Sequence, residues 1–275
     1  MKTILVPVDF SEVSKNAALF AYKLASQVNE SRIILFNLFD PYLSGSDGSL
    51  LQDDTEDRRT IRLMALNNIR RDFATIDGLV IDCVAEEGKS LVHAINHIVT
   101  NEMVDLVVMG ITGATRIEQM LFGSNTLNVT RHAICPVLVI PPHTAFRNIR
   151  RMVLAVDLND AVESLPKKRV EFMVETFHAE LHIIYVEKRN GTPLNSEQEM
   201  EKQKLEAWLK PYSPVFHTMA DRNFVKAINE FVSRNEIDLL LTVPRSISYV
   251  TDLLHNSHTD RLGYRSQVPF VTIHQ

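Results

Sequence analysis

The sequence predicts an α/β chain of two tandem open five-stranded parallel sheets, each flanked by helices. Three observations predict it. The chain repeats itself in two halves, each half alternates strand and helix, and the strand runs are apolar without the alternation of a one-sided sheet. With 275 residues there is room for two domains of ordinary size, because single cores stop growing near about 250 residues.

The repeat is visible by eye. TILVPVDFSE (3–12) recurs as RMVLAVDLND (151–160), each an apolar run ending in an aspartate before a helix-start signal. LVHAINHIVTNEMVDLVVMG (91–110) aligns without gaps with FVKAINEFVSRNEIDLLLTV (224–243), an offset of 133 residues, and the same register pairs CPVLVI (135–140) with VPFVTI (268–273). This divides the chain into domains 1–143 and 148–275, joined near PPHTAFRNI (141–149).

In the first half the expected strands are 3–9, 32–38, 79–85, 104–110 and 136–140, rich in Val, Ile and Leu. Helix 11–28 starts at Ser11, a suitable N-cap, and helix 89–101 follows Gly88. DPYLSGSDGSLLQDD (40–54), with its glycines, serines and aspartates, reads as a mobile loop before a helix near 55–74. A further helix is expected near 124–133. The second half repeats the alternation, and Ser196 with Glu199 has capping-box spacing for a helix reaching about Lys210.

Composition narrows the function. An apolar share of 45% and a charged share of 23% are those of a globular chain. No apolar run reaches the roughly 18 residues of a membrane span, and MKTILVPVDF is neither signal peptide nor anchor. Cys83 and Cys135 are the two cysteines, with no CxxC spacing, which fits a reducing, cytoplasmic setting. The net charge of -5 comes from the first half: residues 1–146 hold 12 basic and 17 acidic residues, residues 147–275 hold 17 of each. Neither half offers the basic surface that nucleic acid needs, and RNIRR (147–151) reads as a solvated linker.

The stretch that carries chemistry is Gly110-Ile-Thr-Gly113, nine residues, then Gly123-Ser124, directly after an apolar strand. The chain has nine glycines, and three fall here. Main chain without Cβ lets N–H groups approach a phosphate, and Gly110 with Gly113 is expected to shape the turn. Gly123-Ser124 then opens a helix whose first N–H groups and dipole favour an anion, with Ser124 as cap and phosphate donor. The arrangement lies outside the carboxyl ends of the strands, where open α/β sheets bind ligands.

This spacing, with the opening VPVDFSE and the closing RHAICPVLVIPP, resembles the universal stress protein family over the whole chain, as two copies. The resemblance implies a Rossmann-like, adenine-nucleotide alpha-hydrolase-like fold that binds ATP, with Mg2+ as companion, and pairing through the last strand. By position, Pro7, Val8 and Asp9 line the adenosine side, with the Asp9 carboxylate accepting hydrogen bonds there, and Leu38 offers main-chain groups to the adenine. Gly110, Gly113, Gly123, Ser124 and Asn125 hold the phosphates, Met109 belongs to the same nucleotide site, and Arg116 is the nearest cation. Asn125 stands where an aliphatic residue is common in that family.

The second half is an internal control. At the offset of 133, Gly110 becomes Val243, Gly113 becomes Ser246, Gly123 becomes Asn256, and Ser124 alone survives, as Ser257. Pro244 removes a donor and Ala155 replaces Pro7, while Asp157 stands opposite Asp9. The second half is therefore expected to keep the fold and not to bind ATP in this way. His93 and His97, four apart on a helix, align with Lys226 and Glu230 and read as surface; His255 and His258 read as a surface loop.

With no GxxxxGK[ST] loop, nucleophile elbow or HExxH in the sequence, the leading reading is a binding module with slow or no hydrolysis. A weak ATPase assisted by Arg116 and a metal, and a scaffold that binds no nucleotide, are the alternatives. The two halves are expected to pair as a pseudo-dimer through 136–140 and 268–273, with a homodimer of chains also open.

Overall fold

The computed structural model describes residues 2–28, 31–40, 55–73, 78–111, 124–142, 144–156, 158, 161–187, 194–220, 224–243 and 268–273. Residues 41–54 of the stretch 40–54 expected as a loop, Gly113, Arg116, Gly123, Asp157, Pro244, His255 and His258 lie outside them. The chain divides into two compact units, Met1–Phe146 and Arg147–Gln275.

The first unit runs β1 (Lys2–Pro7), α1 (Glu12–Gln27), β2 (Ser31–Phe39), α2 (Thr55–Asp72), β3 (Val80–Glu87), α3 (Leu91–Asn101), β4 (Leu106–Gly110), α4 (Ser124–His132) and β5 (Val137–Ile140). Its strands are parallel in the order β3-β2-β1-β4-β5. Right-handed crossovers put α1 and α2 on one face and α3 and α4 on the other. Leu5, Val6, Ile33, Ile34, Leu35, Phe36, Val107, Val108, Val137, Leu138 and Val139 are buried, which is why these runs do not alternate. Ser11 caps α1 as expected, its Oγ accepting from the Ser14 N–H at 3.2 Å.

The second unit runs β6 (Arg151–Val156), α5 (Ala161–Ser164), α6 (Lys167–Phe177), β7 (Glu180–Glu187), α7 (Ser196–Leu209), β8 (Val215–Ala220), α8 (Phe224–Arg234), β9 (Leu239–Thr242) and β10 (Phe270–Thr272). The parallel order is β8-β7-β6-β9-β10, the first unit's order repeated.

The repeat extends to single hydrogen bonds. Asp105 Oδ2 accepts from the Thr3 N–H at 2.8 Å, and the aligned Asp238 Oδ2 accepts from the N–H groups of Arg150 and Arg151 at 2.9 and 3.0 Å. Each aspartate ties the start of the fourth strand of its unit to the start of the first. The helices before them end alike: Met103 and its counterpart Glu236 take left-handed φ of 49° and 51°, and the Val104 and Ile237 N–H groups reach back five residues at 3.1 Å.

Three expectations need correction. The capping box of α7 is formed by Asn195 and Gln198, one residue before Ser196 and Glu199: the Asn195 side chain accepts from the Gln198 N–H at 2.8 Å, and Gln198 Oε1 accepts from the Asn195 N–H at 3.2 Å. Asn and Ser both cap well, so spacing alone did not separate the two registers. The helix after the first strand, continuous in the first unit, is broken in the second at Pro166, which lacks the N–H a helix interior uses. At the start of α5, the buried Glu201 of α7 accepts from the Val162 N–H at 3.1 Å. RNIRR is more than a solvated linker: Ile149 is buried, and Arg151 opens β6 and pairs with Glu180 and Glu236 at 3.5 and 3.1 Å.

Candidate functional site

The first unit's strands β2, β1 and β4 are neighbours, so their carboxyl ends lie side by side, and β1 stops first. The last turn of β1 is fixed by β2. The Val8 N–H donates to the Phe36 carbonyl at 2.7 Å, and the Val8 carbonyl accepts from Asn37 Nδ2 at 2.6 Å. Val8 is buried with both main-chain groups engaged. Pro7 and Met109 are also buried, so they form floor rather than rim.

Leu38 comes into its position by strand alternation. The Phe36 carbonyl faces β1, where it accepts from Val8, and the Phe39 carbonyl faces β3, where it accepts from the Gly88 N–H at 3.0 Å. The main-chain groups of Leu38 therefore face the β1 side, beyond the point where β1 has ended. A ligand with complementary edge donors and acceptors can extend the sheet there.

Asp9 follows directly and is exposed. Its Oδ1 accepts from the Ser11 N–H at 3.0 Å and from Ser11 Oγ at 2.5 Å, an Asx turn that leads the chain into α1. Burial pushes the carboxyl up, but hydrogen bonds from the Ser11 and Ser14 hydroxyls and the Ser11 N–H outweigh it and hold it below the ordinary carboxylate value. Asp9 is thus an oriented anion across the neutral range.

Between them Phe10 has a left-handed φ of 67°. For a bulky side chain this is strained backbone of the kind that clusters at functional turns. The Arg62 guanidinium of α2 lies over its ring, 5.7 Å from the centroid. Phe10→Gly is therefore expected to exceed Phe10→Ala in stability by about 1 kcal/mol, the reverse of the usual order. Denaturant unfolding of the two variants checks this, and an Ala variant equal to or above Gly would contradict it.

Gly110 ends β4, and its position has a packing reason that the motif did not reveal. A Cβ there would lie 2.5 Å from Val13 Cγ1 and 2.6 Å from the Val13 carbonyl oxygen, so α1 sits on the strand end at glycine-only distance. Its own carbonyl accepts from Thr126 Oγ1 at 2.9 Å. Among the described residues α4 runs from Ser124, so Ser124 stands at its amino end. Ser124 and Asn125 are exposed. The Thr126 bond holds the first turn of α4 against the end of β4, so both ends of segment 111–123 are anchored at one place.

The structure thus brings Pro7, Val8, Asp9, Leu38, Met109, Gly110, Ser124 and Asn125 to one carboxyl edge; Gly113, Arg116 and Gly123 lie outside the described residues. Sequence reasoning missed Val13, Thr126 and Asn37. Asn37 is 5% exposed, and its Oδ1 is buried with no hydrogen-bond partner among the described residues. Its one signal was a lone amide within the apolar run LFNLF. His93 and His97 are exposed, and among the described residues no group of three His, Cys, Asp or Glu could hold a metal ion.

In the second unit, Pro244 aligns with Ile111, whose N–H donates to the Ile140 carbonyl at 3.1 Å. The proline has no N–H to make that bond. Among the described residues no helix is long and apolar enough to cross a membrane.

Comparison with known proteins places the site in context. Residues 1–141 match the model of the universal stress protein family. The universal stress protein MJ0531 of Methanocaldococcus jannaschii is 29% identical over 147 residues, covering 50% of this chain and 81% of that protein. A universal stress protein of Thermus aquaticus is 28% identical over 140 residues, covering 50% of this chain and 98% of that protein. A universal stress protein of Archaeoglobus fulgidus is similar in fold along the whole length, with a TM-score of 0.67 at 18% identity, covering 99% of this chain and 98% of that one.

Proposed function

Because the chain belongs to the universal stress protein family, we propose that it is a cytoplasmic regulatory module of the stress response that binds ATP in the first unit alone. The observation that carries this reading is the Thr126–Gly110 hydrogen bond at 2.9 Å. It stands the amino end of a nine-residue helix at the carboxyl end of β4, beside an exposed, oriented Asp9. A polyphosphate takes its hydrogen bonds from the first N–H groups of α4 and from the glycine-containing segment 111–123. Asp9 accepts from ribose hydroxyls, and the Leu38 main chain pairs with the edge of the base.

Mg2+ would reach this site on the phosphates that it accompanies. Its chemistry there is charge neutralisation of the phosphate chain. Occupancy stabilises one state of the first unit, and a partner reads that state. The second unit, with every glycine of the motif replaced and a proline at position 244, has a scaffold role.

Calorimetric titration of ATP into the full chain tests the reading. The expected stoichiometry is one ATP per chain, without release of ADP over the time of the titration. Two sites per chain would remove the asymmetry, steady ADP release would make the chain an ATPase, and no binding at all would leave a scaffold.

A further inference from the structure

We propose that His182 and His217 form an acid-sensitive clasp that fastens β8, the outermost described strand of the second unit, to β7 and releases it when both rings carry a proton. His182 on β7 and His217 on β8 sit on the same face, diagonally across the parallel ladder, in which His182 is opposite Val215 and Ile184 is opposite His217. His182 Nδ1 lies 2.9 Å from His217 Nε2. With ring centroids 5.1 Å apart and planes only 23° from parallel, the two imidazoles meet edge to edge. Phe231 of α8 covers both, its centroid 4.6 Å from that of His217 and 6.1 Å from that of His182.

Only one proton fits on the line between the facing nitrogens. In the neutral pair one ring donates and the other accepts, and a singly charged pair keeps that bond. A second charge puts two N–H groups and two positive charges face to face, under an apolar lid. His182 is buried, and its Nε2 has no hydrogen-bond partner among the described residues, the nearest carboxylate oxygen being Glu180 Oε1 at 3.6 Å.

The surrounding charges do not rescue the doubly protonated state. Glu180, on β7 itself, is shared with Arg151 of β6 at 3.5 Å, and Arg151 also reaches Glu236 at 3.1 Å. On α8, Glu230 is paired with Arg234 at 3.7 Å. Burial pushes His182 below the ordinary imidazole value, opposed by Glu180 and reinforced by Arg151; burial and then His182 push His217 the same way. Both groups bind protons more readily when β8 is open. Attachment is therefore complete above the ordinary value of 6.5 and weakens as pH falls below it. Release bares the edge of β7, a template for another strand.

Hydrogen exchange of the full chain between pH 7.5 and 5, corrected for the intrinsic rate, reads the clasp directly. Protection of residues 215–220 is expected to fall by about tenfold per pH unit for each proton taken up, while β1 holds steady. In His217→Gln, which keeps a polar side chain but does not titrate, the slope should drop by at least one proton's worth. Trp208, the single tryptophan, lies in α7 of the same unit, so unchanged emission at pH 7.5 reports that the variant is folded. A flat wild-type profile, or the same slope in the variant, would overturn the proposal. Should the variant not fold, imidazole NMR of the wild type decides: two coupled steps support the clasp, and independent titration of both rings near 6.5 refutes it.

Discussion

Gly110→Ala is expected to destabilise the first unit by about 1–3 kcal/mol, the cost of forcing an extra carbon into a packed contact. The added Cβ would meet Val13 Cγ1 at 2.5 Å, the Val13 carbonyl oxygen at 2.6 Å and the Val13 carbonyl carbon at 3.0 Å. A side chain can turn away, but two of these three atoms are main chain in the first turn of α1, so relief requires the helix to move. Movement there also shifts Ser11 and, through its hydrogen bonds, Asp9. Hydrogen exchange of β1 and β4 measures the effect, with protection expected to fall by tenfold or more, about the factor that 1–2 kcal/mol represents. The corresponding strands of the second unit serve as the internal reference. Adding Val13→Ala should recover only part of the loss, since it leaves the carbonyl in place. Unchanged protection in Gly110→Ala would mean that α1 does not sit on the strand end.

The same contact shows what a motif read from sequence hides. Gly110 stood out because a phosphate loop needs main chain without Cβ, yet the structure gives the residue an independent reason to be glycine. In the second half the aligned pair is Val243 with Ala161, against Gly110 with Val13 in the first. The large and small members have changed places. Replacement of glycine at 243 is therefore not by itself a sign of a lost ligand site, and the expected asymmetry between the halves rests more on Pro244 and on the replacements at 246 and 256.

What was legible in the sequence was local or periodic. The strands, the Ser11 cap and the repeat follow from apolar runs, one side chain's reach and matching segments in the two halves, and the parallel α/β architecture followed from them. What was not legible is tertiary. Asn37 meets Val8 across 29 residues and Thr126 meets Gly110 across 16, and neither partner is marked by spacing. The broken helix at Pro166 had a signal in LPKK, overridden by the expectation that both halves match element for element. The α7 cap slipped by one residue because Asn195 and Ser196 are both good caps and each has a suitable partner three positions on.

Asp9→Ala is expected to weaken ATP binding by about 10–100-fold, the worth of hydrogen bonds to a charged group. The carboxylate is oriented before any ligand arrives, by Ser11 N–H at 3.0 Å and Ser11 Oγ at 2.5 Å, so little ordering cost falls on binding. Its depressed protonation equilibrium carries a pH signature with a definite sign. An ionised acceptor is present at all pH above the ordinary value of 3.8 and is lost only as pH falls through the lower value of the folded state. The Asp9 contribution to affinity should therefore be constant from pH 8 to about 5. Asp157→Ala, the same change at the aligned position of the second half, should leave affinity and stoichiometry unchanged. Calorimetry on the two variants separates the possibilities. Equal losses would place a working site in both units, and no loss in Asp9→Ala would move the ligand away from the β1 edge, leaving the Asx turn into α1 as the residue's whole role.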